Sequence, residues 1–238
     1  MSTSVVLLAY EEAENLKVLL PNISQIMQGF EPDFEIIVVD STKPLDSTKD
    51  VCEQYQAKYV NQEEPFYAGA FRTGIRHATK DKIQILDADG SHDPIVIPQL
   101  HQKFLEGYDL VIGSRYVKGG KSNDSRFSLL MSKLLNFVMR ICIGVKAKDI
   151  STGFRLYDAK QLKTVTLQRN NYDVLQEVIL KLKLNKASFR IAEVPIIFNK
   201  RMFGESKRQL WKFIQGYIVT VFYLLHTRFT KRVRGTGQ

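Results

Sequence analysis

The first half of the chain alternates short apolar runs with segments in which apolar residues recur every three or four positions. The runs predict buried strands, and the segments between them predict amphipathic helices. Such alternation is typical of βαβ units, so we predict an α/β fold with a mainly parallel central sheet flanked by helices. Strands are predicted at 5–9, 34–40, 58–60, 83–86 and 109–116, and helices at 16–26, 47–56, 68–78 and 95–105.

The second half of the chain has a different pattern. Residues 127–145 are strongly apolar except for a narrow polar stripe, which predicts a helix with one polar edge. We also predict a polar loop at 148–155, a helix at 172–184, a strand at 194–198 and a helix at 208–229. The polar stripe consists of Ser128, Ser132, Asn136, Arg140 and Gly144.

The predicted C-terminal helix is too short to span a membrane. Its apolar core is 13 residues long, at 213–225, and is interrupted by polar residues, whereas a span needs about 20 apolar residues. We therefore expect 208–238 to form an amphipathic helix with a basic tail that lies on a membrane surface. A helix packed on the protein core and a dimer contact are the alternatives.

Charge is divided unequally along the 238 residues. Residues 1–120 carry 11 Lys and Arg against 18 Asp and Glu, a net charge of −7. Residues 121–238 carry 23 against 7, a net charge of +16, so the second half is expected to face an anionic partner. Cys52 and Cys142 match no metal or redox spacing, and no secretory signal is visible, which favours a cytoplasmic protein.

Carboxylates follow several of the predicted strands. Glu12 follows the first strand, Asp40 ends the second, and Asp87 and Asp89 follow the fourth. In open α/β sheets, ligands bind at the carboxyl ends of the strands. Asp87 and Asp89 would point the same way if the strand continues through Ala88, and two carboxylates beside an open loop suit a hard divalent cation. A solvated turn is the alternative, because Asp, Gly, Ser and Pro all favour turns.

Familiar nucleotide-binding motifs are absent. No G-x-G-x-x-G follows the first strand, which argues against a dinucleotide-binding fold. Gly120-Lys121-Ser122 resembles the end of a P-loop, but Arg115 stands where that motif requires glycine.

Six short motifs together resemble a known family: the inverting family 2 glycosyltransferases of the GT-A fold, and within them the dolichyl-phosphate (polyprenyl-phosphate) mannose synthases. The resemblance runs from about residue 5 to residue 207 and implies a Rossmann-like GT-A fold. The motifs are Tyr10-Glu11-Glu12-Ala13-Glu14-Asn15, Val38-Val39-Asp40, Asp87-Ala88-Asp89-Gly90-Ser91-His92-Asp93-Pro94, Gly113-Ser114-Arg115-Tyr116, Thr152-Gly153-Phe154-Arg155, and Glu193-Val194-Pro195 followed by Arg201 and Gly204-Glu205-Ser206-Lys207.

The resemblance assigns donor-side positions to a nucleotide-sugar pocket and to Mg2+ or Mn2+ on the donor diphosphate. The catalytic domain would be 1–207, with 1–120 serving the donor and metal and 121–207 serving the acceptor. The donor positions are Tyr10, Glu12 and Asp40 for the nucleotide, and Asp87, Asp89 and Ser91 for the metal.

On the acceptor side, the resemblance places Ser132 in a phosphate site, with Arg115 on the same basic wall and Arg201 and Lys207 in a closing loop. The family tends to place arginine at the position of Ser128, four residues before Ser132.

The transfer reaction that the resemblance implies requires cations in the site, because two anionic substrates must be held together and a diphosphate must leave. A lipid monophosphate, with a second pKa of about 6, needs no general base near neutral pH. The candidate cations are Arg115, Arg155, Arg201 and Lys207. His92 is interpreted as a structural hydrogen-bonding residue, with a role as base the alternative.

The predicted function is therefore metal-dependent, inverting transfer of a hexose, favouring mannose from GDP-mannose, to a polyprenyl phosphate. The protein would lie on the cytoplasmic face of a membrane, and a separate membrane subunit as its anchor is left open. A glycosyltransferase that uses UDP-glucose or a saccharide hydroxyl is the first alternative. A basic nucleic-acid-binding protein is a distant one, since the sequence has no nucleic-acid-binding motif.

Overall fold

A seven-stranded sheet forms the centre of the molecule. The computed structural model describes residues 1–203 and 219–230, apart from the side chain of Arg126. The strands of the sheet are β1 (Thr3–Leu8), β2 (Phe34–Asp40), β3 (Lys58–Asn61), β4 (Lys82–Asp87), β5 (Leu110–Ser114), β7 (Arg155–Asp158) and β8 (Ile191–Pro195). Their order is β3-β2-β1-β4-β7-β5-β8. Two short strands, β6 (Lys121–Ser122) and β9 (Ile197–Phe198), pair separately beside it.

The sheet is parallel except at β7. This strand runs antiparallel to both of its neighbours, β4 and β5, while the other pairs are parallel. The predicted α/β class with a mainly parallel sheet is confirmed. The sequence did not predict β7, because four residues are too few to show an alternating pattern.

Helices cover both faces of the sheet. Successive residues of a strand point to opposite faces, so Val6 and Leu8 belong to one core cluster and Val5 and Leu7 to the other. The helices are α1 (Ala13–Phe30), α2 (Thr48–Gln54), α3 (Phe66–His77), α4 (Ile97–Leu105), α5 (Arg126–Ile143), α6 (Ala159–Leu162), α7 (Val174–Asn185) and α8 over 219–230. The first cluster packs under α3, α5 and α7, and the second under α1 and α4.

The described part of the C-terminal segment is a helix packed on the protein. In α8, Leu224 is fully buried, and the Thr220 hydroxyl donates to Asp173 at 2.8 Å. Arg228 donates to the carbonyl of Cys142, near the end of α5, at 2.8 Å. The predicted helix is thus present over 219–230, while 208–218 and the basic tail at 231–238 lie outside the described residues. Contact of this segment with a membrane surface stays a prediction. Among the described residues, no helix combines the length and the apolar character that crossing a bilayer requires.

Candidate active site

The carboxyl end of β4 carries the acid pair. β4 ends at Asp87, and Ala88 and Asp89 form a turn instead of continuing the strand. Gly90 then adopts a left-handed φ of 74°, and a Cβ at this position would lie 2.5 Å from the Met202 side chain. The prediction that the strand continues through Ala88 is therefore wrong. Because of the turn, the two carboxylates have different neighbours.

Asp89 is held by its own turn and by a distant arginine. One carboxylate oxygen accepts hydrogen bonds from the Ser91 amide at 3.0 Å and hydroxyl at 2.6 Å. The other accepts from Nε of Arg201 at 3.0 Å. Burial alone would raise the pKa of Asp89, but the Ser91 hydrogen bonds and nearby positive charge outweigh it and lower that pKa. Ser91, predicted as a metal ligand, directs its hydroxyl to Asp89.

Arg201 also forms an ion pair with Glu12, so its guanidinium bridges two acids from separate strand ends. Burial, together with the charges of Asp89 and Asp87, raises the pKa of Glu12 to about 7, although Arg201 and Asn15 oppose this shift. The arginine is brought here by the segment after β9, where the amide of Met202 donates to the Asp89 carbonyl at 3.1 Å.

Asp87 lies beside His92 and Tyr67. The Asp87 amide donates to Nδ1 of His92 at 3.3 Å, and the Tyr67 hydroxyl donates to its carboxylate at 3.2 Å. His92 is buried and stacked on Phe154 with a centroid distance of 5.1 Å. Nδ1 accepts a hydrogen bond, and burial lowers the pKa of the His92 imidazole. These observations favour a structural, hydrogen-bonding role for His92.

The nucleotide positions predicted from the sequence lie along the same sheet edge. A cavity of about 300 Å³ next to β1 is lined by Tyr10, Glu12 and Arg201 among others. Asp40, at the end of β2, is buried and accepts a hydrogen bond from Tyr59 at 2.9 Å. Burial raises the pKa of this carboxyl, although hydrogen bonds from Ser41 and Tyr59 oppose the shift.

The donor set at the end of β4 fits a hard divalent cation. Asp87 and Asp89 offer carboxylate oxygens, the ligand type that Mg2+ and Mn2+ prefer. Within 1–203 and 219–230, no group of three or more His, Cys, Asp or Glu side chains is arranged to hold a metal ion. Two protein carboxylates suit Mg2+, which is commonly bound by one or two of them together with substrate phosphates and water.

The predicted acceptor wall is built differently, around a buried ion pair. Arg115 donates to Asp149 through Nε at 2.7 Å and through a terminal nitrogen at 2.8 Å. The same nitrogen donates to Ser151 at 2.8 Å. The Asp149 side chain is fully buried, and that of Arg115 is 10% exposed. The positive charge of Arg115 is therefore already matched inside the protein.

Tyr116 connects Ser132 to this ion pair. The Tyr116 hydroxyl donates to the Ser132 hydroxyl at 2.7 Å, and the Arg115 guanidinium lies 5.0 Å from the Tyr116 ring centroid. Lys133 lies 5.7 Å from the same ring. On the next turn of α5, Asn136 accepts from the Ile150 amide at 2.7 Å. The polar stripe thus attaches α5 to the loop at 148–155.

One of the predicted site residues, Arg155, does not join this arrangement, and another lies outside the described residues. Arg155 is fully buried, and its guanidinium donates to the carbonyls of Ile150, Thr152 and Leu175. Its prediction as a cation for ligands is corrected: the arginine organises the loop before β7, because its donors are used by the protein itself. Lys207 lies outside the described residues.

The sequence reasoning missed Asp149 and Tyr67. Asp149 is 34 positions from its partner Arg115, and an acid in a polar loop gives no sign of being buried. Tyr67 directly precedes the predicted helix at 68–78, and an aromatic residue in this position indicates packing. The hydrogen bond from Tyr67 to Asp87 becomes visible only in the folded structure.

Comparison with known proteins settles the family. The model of the family described as "Glycosyl transferase family 2" matches residues 4–166. The chain belongs to this family. A relative named dolichol-phosphate mannosyltransferase, from Pyrococcus furiosus, is 34% identical over 233 residues, which cover 94% of this chain and 64% of the relative. The chain thus spans about two thirds of that relative's length.

Other relatives agree on the family and the fold. The polyprenol monophosphomannose synthase of Mycolicibacterium smegmatis is 29% identical over 86% of this chain and 80% of its own length. Among solved structures, glucosyl-3-phosphoglycerate synthase from Mycobacterium tuberculosis, with Mn2+, UDP and glucosyl-3-phosphoglycerate, superposes with a TM-score of 0.75 at 20% identity, covering 94% of this chain and 80% of that one. The similarity confirms the GT-A fold.

Proposed function

We propose that this chain transfers mannose from GDP-mannose to a polyprenyl phosphate, with inversion at the sugar and with Mg2+ or Mn2+ on the donor diphosphate. Membership of glycosyl transferase family 2 carries the reaction class. The lipid-phosphate acceptor and the mannosyl group rest on the relatives named as mannosyltransferases, which are 29–34% identical over most of the chain.

On the donor side, Asp87 and Asp89 would hold the metal. When bound, the metal supplies positive charge against the diphosphate as it leaves. Arg201 bridges Asp89 and Glu12, so it lies at the point where the diphosphate would enter. Asp40 and Tyr10 are proposed to contact the nucleoside, because Tyr10 lines the cavity next to β1 and Asp40 ends the neighbouring strand β2.

On the acceptor side, no side chain has to remove a proton. A lipid monophosphate has a second pKa of about 6, so its oxygen is anionic near neutral pH. Ser132 and Tyr116 offer hydroxyl groups to this phosphate. Lys133 is exposed and lies over the Tyr116 ring. Among the described residues no carboxylate forms an ion pair with it, so it offers a positive charge to the phosphate.

The exposed face of α5 supports peripheral contact with a membrane, which we propose is its cytoplasmic face. Large apolar side chains recur at helical spacing along this helix and face solvent, beside the polar stripe that includes Ser132. Such a face buries apolar area in a bilayer interface, and it would bring the acceptor wall to the lipid phosphate. The exposed residues are Phe127, Leu130, Leu134, Phe137, Val138 and Ile141.

The test is a transfer assay with the purified chain. Labelled GDP-mannose, Mg2+ or Mn2+, and a polyprenyl phosphate in anionic vesicles should give label in the lipid fraction. UDP-glucose is assayed in parallel, and a preference for it would favour the glucose-transferring alternative. Absence of lipid-soluble label with every common nucleotide sugar would overturn the proposal. Leu130→Asp with Leu134→Asp should reduce sedimentation with the vesicles.

A further inference from the structure

Tyr67 makes a contact with the acid pair that the proposed reaction does not by itself require. This tyrosine lies in the first turn of α3, and its hydroxyl donates to Oδ1 of Asp87 at 3.2 Å. A carboxylate hydrogen-bonded through one oxygen is restricted in rotation, because turning it would break the bond.

The ring of Tyr67 is itself held in place. It stacks on Tyr172 with a centroid distance of 4.3 Å and an angle of 29° between the rings. The preceding residue, Phe66, has a left-handed φ of 70°, where α3 begins. An aromatic ring stacked on a second ring reaches its hydroxyl target with only two side-chain torsions to fix, so the entropy lost in positioning the hydroxyl is small.

Gly153 lies beside the hydrogen bond between the Tyr67 hydroxyl and the Asp87 carboxylate, and its lack of a side chain leaves room for it. A Cβ at residue 153 would lie 2.7 Å from the Tyr67 hydroxyl oxygen, and 3.2 Å and 3.4 Å from the two oxygens of Asp87. The φ of Gly153 lies outside the left-handed region, so its backbone does not itself demand glycine. Close approach of Tyr67 and Asp87 is therefore the physical reason for glycine here.

We propose that Tyr67 is a positioning residue for the metal site: its hydroxyl orients the Asp87 carboxylate, and Gly153 makes room for this contact. The inference rests on the proposed function only in taking Asp87 as a metal ligand. Ligating carboxylates are commonly hydrogen-bonded by an outer layer of side chains, and removal of such a partner lowers metal affinity or activity by about 10- to 100-fold.

The first experiment measures Mn2+ binding without nucleotide or sugar, by electron paramagnetic resonance of the free ion. Tyr67→Phe keeps the ring and its stack but removes the hydroxyl, and it should weaken Mn2+ binding by about tenfold or more. Tyr59→Phe is the matched control, since it removes a tyrosine–aspartate hydrogen bond of 2.9 Å at Asp40 and should change Mn2+ affinity less than about twofold. Wild-type affinity in Tyr67→Phe would overturn the proposal.

A double-mutant cycle guards against a general effect on folding. Gly153→Ala in the wild-type chain should weaken Mn2+ binding, because the added methyl group strikes the Tyr67 hydroxyl. In the Tyr67→Phe background the same change should add less, because the hydroxyl oxygen is gone and only the longer contacts of the new methyl group with the Asp87 carboxylate remain. Two independent, additive losses would overturn the proposal, and thermal unfolding of each variant confirms that it is folded.

Asp87→Asn separates this inference from the proposed reaction. If Asp87→Asn and Tyr67→Phe both weaken Mn2+ binding while no nucleotide sugar is turned over, the positioning role stands and the proposed function fails. If Asp87→Asn leaves Mn2+ binding unchanged, Asp87 is not a ligand, and the role of Tyr67 falls with it.

Discussion

The proposed donor and acceptor sides of the site balance charge in opposite ways. On the donor side, Glu12, Asp87 and Asp89 converge on a strand edge, and Arg201 is the cation that bridges two of them among the described residues. On the acceptor side, one arginine, Arg115, faces one buried aspartate, Asp149. Acids are in excess on the first side, whereas the buried charges of Arg115 and Asp149 match each other on the second.

The pKa shifts follow from this difference. Burial and neighbouring acids raise the pKa of Glu12 to about 7. Burial would raise the pKa of Asp149 too, but the hydrogen bonds and charge of Arg115 outweigh it and lower that pKa. The raised pKa of Glu12 shows that its charge is not fully matched, even though Ser91 and Arg201 lower the pKa of Asp89, while the ion pair of Arg115 and Asp149 is matched and serves as scaffold. The same residue types therefore do different work on the two sides.

The largest expected effect is the loss of the donor-side acid. Asp89→Ala should lower kcat by about 10²- to 10³-fold, since charge at the leaving diphosphate is worth several kcal/mol. The fold should persist, because removing one of several crowded acids leaves no buried charge without a partner. Transfer assays and thermal unfolding measure the two quantities. Activity near that of the wild type would remove Asp89 from the metal site.

The matching change on the acceptor side should reduce stability instead. Asp149→Ala leaves the Arg115 guanidinium nearly buried without its counter-ion, and breaking such a pair costs about 3 kcal/mol of unfolding free energy. Urea denaturation measures the loss, and Mn2+ affinity should not change. Replacing both partners, with Arg115→Met and Asp149→Leu, should cost less than the sum of the single changes. A stable Asp149→Ala protein would contradict the role of this pair as scaffold.

The donor side could be predicted from the sequence because its geometry is local. Parallel strands bring their carboxyl ends to one edge, so acids placed directly after strands meet there whatever the details of the loops. The pattern predicts that Glu12, Asp40, Asp87 and Asp89 lie at this edge, where the structure has them, and their contacts with a donor stay a proposal. The detail that failed, an extended Ala88, depended on where one strand stops.

The acceptor side could not be predicted in the same way, because its contacts join distant parts of the chain. Arg115 and Arg155 both looked like cations for a ligand, yet one is paired with Asp149 and the other is fully buried. An arginine that caps backbone carbonyls and one that binds phosphate have the same appearance in a sequence. Only burial and hydrogen-bond partners separate them.

A smaller effect is expected from the acceptor hydroxyl. Ser132→Ala removes a hydrogen-bonding group from the proposed phosphate site, and the KM for polyprenyl phosphate should rise about tenfold, the value of one hydrogen bond to a charged group. The KM for the sugar donor should not change. Ser128→Ala is the control one turn earlier, where the hydroxyl bonds with Ser125 at 2.9 Å. Equal effects of both changes would place the phosphate elsewhere.

The smallest expected effect is the dependence of stability on pH, which tests whether acids are in excess on the donor side. Because the pKa of Glu12 is raised from 4.5 to about 7, the folded protein binds this proton more tightly than the unfolded chain. The contribution of Glu12 to stability is therefore full below pH 4.5, is lost as pH rises to about 7, and is constant above that. Glu12→Gln has no such proton to lose. The Tm of Glu12→Gln relative to wild type, measured in EDTA, should rise across this window and then level off.

Two additions make the pH comparison specific to the donor side. Glu14→Gln makes the same change of net charge at an exposed acid paired with Lys17, so it controls for the change of charge alone. Mg2+ should flatten the wild-type slope, because a cation beside Asp89 and Asp87 offsets the charges that help to raise the pKa of Glu12. If Glu12→Gln follows the wild type at every pH, the donor acids do not crowd one another, and the contrast with the matched Arg115–Asp149 pair is lost.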